Sequence, residues 1–255
     1  MTNKLPSALA VGAKAALVAA VVGAAWAPAG WAAAAPRPDA TVLASGANLS
    51  GNPFFPLVLG AKWAYDYTSG TSSFTTTQTV AGTTPAAGGV HVKIDSSDSL
   101  LPGKVTSLTY TIGQGGTVQV QSSSGSGSSA SSFSSTYWIP TAAEVTSCSA
   151  CKFSGPFSAD FSGQAMHGTL TETATALGAH SVAVPAGTFS TEEVKLTLGM
   201  HATGSLPMAM ALTFHLYLAK GVGMVEDSGG SMAMTVMGHA ITTPMGTDKL
   251  ASYKP

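Results

Sequence analysis

Apolar and polar residues alternate along most of this chain after residue 60. The clearest case is Val194-Lys195-Leu196-Thr197-Leu198-Gly199-Met200-His201, where even positions are apolar and odd positions small or polar. That two-residue period belongs to a half-buried strand. The same pattern predicts strands over 63–68, 74–80, 90–94, 105–112, 117–121, 166–174 and 180–184. Met208 to Leu218 is a longer example, with Met208, Met210, Leu212, Phe214, Leu216 and Leu218 on one face and Ala209, Ala211, Thr213, His215 and Tyr217 on the other. Gly221 to Glu226 leads towards turn chemistry at Asp227-Ser228-Gly229-Gly230, and Met232 to Val236 returns as a partner strand. Beyond the first 35 residues no stretch carries a long helical period.

The connections fit short hairpins. Gly113-Gln114-Gly115-Gly116 separates two strands, and Val184-Pro185-Ala186-Gly187 places Pro and Gly where a tight turn uses them. Residues 122–135 are nearly all Ser and Gly and lack the apolar groups that would offset their ordering entropy, so they read as a flexible loop. The expectation is an all-β protein of consecutive antiparallel strands, with a single β domain over 52–255 and a poorly ordered leading segment over 35–51.

The N-terminal region differs from this pattern. Lys4 and Lys14 precede an apolar run from Ala15 to Trp26, and Ala32-Ala33-Ala34-Ala35-Pro36 supplies small residues for cleavage after Ala34. Residues 1–34 thus read as a helical signal peptide, and the mature protein is secreted to an extracytoplasmic compartment, the bacterial periplasm or cell envelope. Without the leader, nine basic residues face twelve acidic ones, and the single arginine is Arg37. This excludes a basic footprint for nucleic acid and makes side-chain recognition of phosphate a poor fit. No second apolar run is long enough to span a bilayer, so no transmembrane anchor is expected in the mature form. Cys148 and Cys151, the only cysteines, read as a local disulfide in that compartment. A redox pair would open a helix, whereas Lys152-Phe153-Ser154-Gly155-Pro156 breaks one; zinc would require a second ligand pair.

Three blocks carry a family resemblance. Asn52-Pro53-Phe54-Phe55-Pro56-Leu57 with Gly60, Trp63 and Tyr65, then Val182 to Phe189, then Tyr217 to Val225, resemble in order and spacing the motifs of TapB-like bacterial exported or lipoprotein domains of unknown function. The resemblance implies a single strongly curved antiparallel sheet, half-barrel-like in the manner of LolA-like envelope carriers, whose concave face can hold an acyl chain. It implies no catalytic residues; no cofactor is expected. The chain departs from many relatives in lacking a lipid-anchor cysteine and in its methionine content.

Eight of the ten methionines lie between Met200 and Met245. Such a density fits an ordinary core, a pliable lining for an apolar ligand, or thioether coordination of Cu(I). Counting parity along the sequence puts Met200 opposite His201, Met208 and Met210 opposite His215, and Met232 and Met234 opposite His239, with only Met237 sharing a face with His239. Mixed Met/His coordination would then need a bulge or different strands. His201, His215 and His239 show no metal-ligand spacing. The pairs Glu192-Glu193 and Glu226-Asp227 sit beside turn signals and read as solvated. No nucleophile motif is present, since Gly229-Gly230-Ser231-Met232-Ala233 lies in a hairpin rather than a strand-to-helix elbow. Gly113 to Gly116 lacks the helix and lysine of a phosphate loop. Trp63, Tyr65 and Tyr67 recur at period two and read as closing one end of a core. The reading is a non-enzymatic exported protein that binds an apolar or lipidic ligand, or a cell-envelope protein, through Met208, Met210, Leu212, Phe214, Leu216, Met232 and Met234. The alternatives are a Met-rich copper-binding protein and a ligand-free surface interaction module.

Overall fold

The computed structural model describes residues 47–255 except 87–88, 101, 104, 114–117, 125–130, 137–138, 162–163, 205–206 and 237–238. The expected signal peptide and the segment 35–46 lie outside the described residues. Thirteen strands form one antiparallel sheet: β1 Lys62–Ser69, β2 Ser72–Ala86, β3 Gly89–Asp98, β4 Val105–Gly113, β5 Val118–Ser124, β6 Ser131–Thr136, β7 Cys151–Phe161, β8 Gln164–Val184, β9 Gly187–Gly204, β10 Met208–Ala219, β11 Gly223–Val236, β12 His239–Pro244 and β13 Thr247–Lys254. One short helix, α1 Ala142–Ser147, precedes β7. Thr141 and Glu144 form a capping box at its start, each side chain meeting the other's backbone N–H.

Strands β1 to β10 pair in sequence order, each with the next. β10 then pairs β11, while β13 pairs β1 on one side and β11 on the other. A chain of pairings that returns to its start requires the sheet to curl round, giving the strongly curved single sheet the resemblance implies. The curl is not a continuous barrel. β11 and β13 share two register pairs, Glu226↔Lys249 and Asp227↔Asp248, whereas β8 and β9 pair from Met166↔Gly204 to Val184↔Gly187. Further up, β11 leaves β13 and pairs β12, which has no other partner among the described residues.

Several expected boundaries change. Asp227 to Gly230 is not a turn: β11 runs through it, and the extra residue is absorbed as a bulge opposite Thr213 to His215, with Gly229 at φ 49°. Gly and Asp serve a bulge as readily as a turn, and β10 is long enough to keep pairing beyond it. The two strands expected over 166–174 and 180–184 are one, β8, bent by a bulge at Gly178, whose φ of 105° suits glycine. The Ser/Gly stretch 122–135 is entered by β5 and β6 from its two ends; its centre, 125–130, lies outside the described residues. Its strands have little hydrophobic pattern, but each extends a sheet that neighbours already specify. β7, β12 and β13 also form where no clear alternation marks them.

The core is continuous on the inner face of the curl. It includes Trp63, Tyr65, Val80, Val92, Ile94, Tyr110, Leu170, Leu198, Leu212, Phe214 and Leu250. Among the described residues no helix is long and apolar enough to cross a membrane.

Candidate functional site

The two ends of the curled sheet differ. At one end the chain seals the interior with hydrogen bonds to backbone carbonyls. The segment before β1 crosses it: the Gly221 N–H donates to the Pro53 carbonyl, 2.7 Å, and the Asn52 side chain donates to the Pro140 carbonyl, 2.8 Å. The Trp63 indole N–H donates to the Val222 carbonyl, 2.7 Å, and the Tyr65 hydroxyl to Met224, 3.3 Å. The β8–β9 hairpin folds to the same place, where the Ala186 N–H donates to the Leu250 carbonyl, 3.0 Å. Phe54 and Leu57 are buried there. All three sequence blocks of the family resemblance therefore meet at this end, and their visible role is closure. Trp63 and Tyr65 close the core as their alternation suggests.

Cys148 and Cys151 form a disulfide beside this closure. The Cys148 carbonyl accepts from the Ala176 N–H, 2.7 Å, which docks the end of α1 on β8.

The opposite end carries a cluster of the methionines. Register places Leu170, Met200, Met210, Met234 and Ile241 in one row across β8, β9, β10, β11 and β12. The next row contains Glu172, Leu198, Leu212, Met232 and Thr243. Of the seven residues read from the sequence as ligand-lining, Met208, Met210, Leu212, Phe214, Leu216 and Met232 are buried in the core, and Met234 is partly buried against it. Burial decreases along the first row towards β12, where Ile241 is 44% exposed. Met245, next to β12, is also only partly buried.

The parity count misplaces His239. Val236 pairs His239 and Met234 pairs Ile241, so two residues of connection bring an odd-numbered position opposite an even one. His239, Ile241 and Thr243 consequently share a face with Met232 and Met234. Parity can be carried along one strand but not through a loop of unspecified geometry. His201 and His215 remain on the outer face, opposite the methionines of their strands. Met237 lies outside the described residues. Among the described residues no group of three or more His, Cys, Asp or Glu is placed to hold a metal ion, a set that does not include thioethers.

Two acidic pairs read as solvated are largely buried. On the outer face Glu193, its side chain 10% exposed, accepts from His180 Nε2 at 2.8 Å and His215 Nδ1 at 2.5 Å. A carboxylate can only accept, so both imidazoles present N–H groups to it. Tyr217 stands in the same cluster, edge-on to His180. Asp227 is buried on the inner face, where burial first, and then the charges of Asp248 and Glu226, push its carboxyl up to about 8. Burial likewise pushes Asp248 up to about 6. Glu226, on the outer face, pairs with Lys249 at 3.3 Å. No alternation signal could have found the Asp227 and Asp248 pair, because β13 and the β11 bulge were not legible as strands.

No known protein family matches the chain, and no curated protein matches it. Two solved structures are similar in arrangement. A provisionally named lipoprotein of Parabacteroides distasonis is 15% identical with a TM-score of 0.45, over 80% of this chain and 99% of its own. A provisionally named exported protein of Bacteroides fragilis with a YmcC-like fold is 12% identical with a TM-score of 0.43, over 80% of this chain and 100% of its own. Likenesses at these scores carry no inference about function.

Proposed function

We propose that this chain is an exported, non-catalytic β-protein that holds an apolar or lipidic molecule at the methionine-rich end of its curled sheet. The observation that carries the reading is the row Leu170, Met200, Met210, Met234 and Ile241, which runs from buried core to exposed edge without a charged side chain. Unbranched thioether side chains adapt to irregular apolar partners better than branched ones. The ligand surface is narrower than the sequence suggests: Leu212, Phe214 and Leu216 are deep core, Met208, Met210 and Met232 are buried beside them, and Met234 is the one of the seven that is only partly buried, next to exposed Ile241 of β12. Export is supported by the leader pattern in residues 1–34 and by the oxidised cysteine pair.

The register of β11 and β12 favours a second reading. It brings His239 to the face of Met232 and Met234, removing the parity objection to a soft-metal site of thioethers and one imidazole.

Intact mass of the protein purified from its native envelope, recorded under non-denaturing and denaturing conditions, tests both. Added lipid-sized mass that is lost on denaturation, and retained by Met232→Leu and Met234→Leu, supports the apolar ligand. Copper-sized increments abolished by those substitutions support the metal, because leucine keeps the volume and removes the sulfur. Absence of any added mass overturns both in favour of an interaction module for an envelope protein.

A further inference from the structure

The sheet's return on itself rests on a narrow junction. β11 and β13 meet at Glu226↔Lys249 and Asp227↔Asp248. The two pairs are chemically unlike. Glu226 and Lys249 attract one another across the outer face. Asp227 and Asp248 stand on the inner face as direct cross-strand partners, which puts their Cβ atoms about 5 Å apart, and like charges at that position repel.

The surroundings of the aspartates make the repulsion matter. On the inner face Asp227 is flanked by Leu216 of β10, and Asp248 by Tyr67 of β1. Tyr65, one inner-face position along β1, gives its hydroxyl to the Met224 carbonyl. Tyr110 of β4 and Tyr253 of β13 are the further phenols near Tyr65. The charged groups Glu226, Lys249 and Asp66 belong to the outer face, where Asp66 accepts from Thr75. β8 reaches the junction through its hairpin; its His180 is committed to Glu193, and its Glu172 lies further along the strand. Among the described residues neither aspartate has a cation or a hydrogen-bond donor against its carboxyl.

We propose that the β11–β13 junction is a proton-controlled latch: a proton held by the facing Asp227 and Asp248 keeps the two ends of the sheet together, and its loss releases them. The sign follows from linkage. With the latch closed, Asp227 titrates near 8 and Asp248 near 6; released into water, both return to the ordinary carboxylate value of about 4. The closed state therefore binds more protons. It is favoured at acid pH, weakens as pH rises from about 4 to about 8, and changes little above that. Opening would part β13 from β11 beside Leu216 and Val225, giving water a route to the inner face at mid-sheet. The latch does not depend on any ligand at the methionine end.

Amide hydrogen exchange of the purified protein, read by mass spectrometry at pH 5.5 and 8.5 and normalised to the intrinsic rate at each pH, tests it. Peptides covering 223–230 and 247–251 should lose protection by about tenfold or more between the two values, while peptides of β9 hold theirs. Asp227→Asn, neutral at every pH, should reduce that loss to about fourfold or less, what Asp248 alone supplies; Asp248→Asn leaves Asp227 buried and should reduce it by a smaller factor. A Glu226→Cys, Lys249→Cys pair, oxidised across the junction, should suppress the loss with both aspartates intact. No loss of protection, an equal loss in β9, or a loss undiminished in Asp227→Asn would overturn the proposal.

Discussion

Leu212→Ala tests whether the inner face of β10 is core or the wall of a groove. Leu212 is 1% exposed, between Leu198 of β9 and Met232 of β11. Truncation removes three carbons, about 2.4 kcal/mol of transfer free energy at about 0.8 kcal/mol per buried carbon. The remaining void adds to this, and flexible Met232 can slump into part of it, so the expected loss is about 3 kcal/mol. For a domain of this size that lowers the melting temperature by about 6–12 °C. Ala211→Ser, one residue away on the exposed face, should stay within about 0.5 kcal/mol of the parent. Urea unfolding of both variants, disulfide intact, gives the comparison. A cost below about 1 kcal/mol for Leu212→Ala would refute the packing argument, since a side chain bordering a solvated groove leaves no void when shortened.

Gly168→Ala should destabilise by about 2 kcal/mol or more, because a Cβ there would stand 1.9 Å from the His201 carbonyl oxygen and force β8 from β9. Gly82→Ala, with nothing within 4 Å of the added carbon, should be neutral or slightly stabilising in the same thermal melts. Reducing Cys148–Cys151 should cost about 2 kcal/mol, the small effect of a short closed loop, measured as a shift in urea midpoint with and without reductant.

Much of the sheet was legible in the residues themselves. Alternation located β1, β4 and β10 closely, and the middle of β9, because each buries one face against the same core and the side-chain period of a strand is two. The buried face of β10 was also correct: Met208, Met210, Leu212, Phe214 and Leu216 do point together, and Trp63 and Tyr65 do close an end. Strands without that signature, β6, β7, β12 and β13, form because neighbouring strands leave backbone groups to be paired, a demand their own side chains do not encode.

Relations between strands were decided by the tertiary structure. Asp227 to Gly230 has the composition of a turn, and only the continued length of β10 makes it a bulge. His239 changes face because register across a hairpin depends on the loop and not on counting. Asp227 and Asp248, twenty-one positions apart, are ordinary acids in the sequence; their perturbation comes from the curl that places β13 between β1 and β11 and removes water from both. Local patterning fixes which way a side chain points within its strand, because that is set by the chain's own geometry. Which side chain it then meets depends on pairing free energies summed over the whole sheet, and those exist only once the fold is formed.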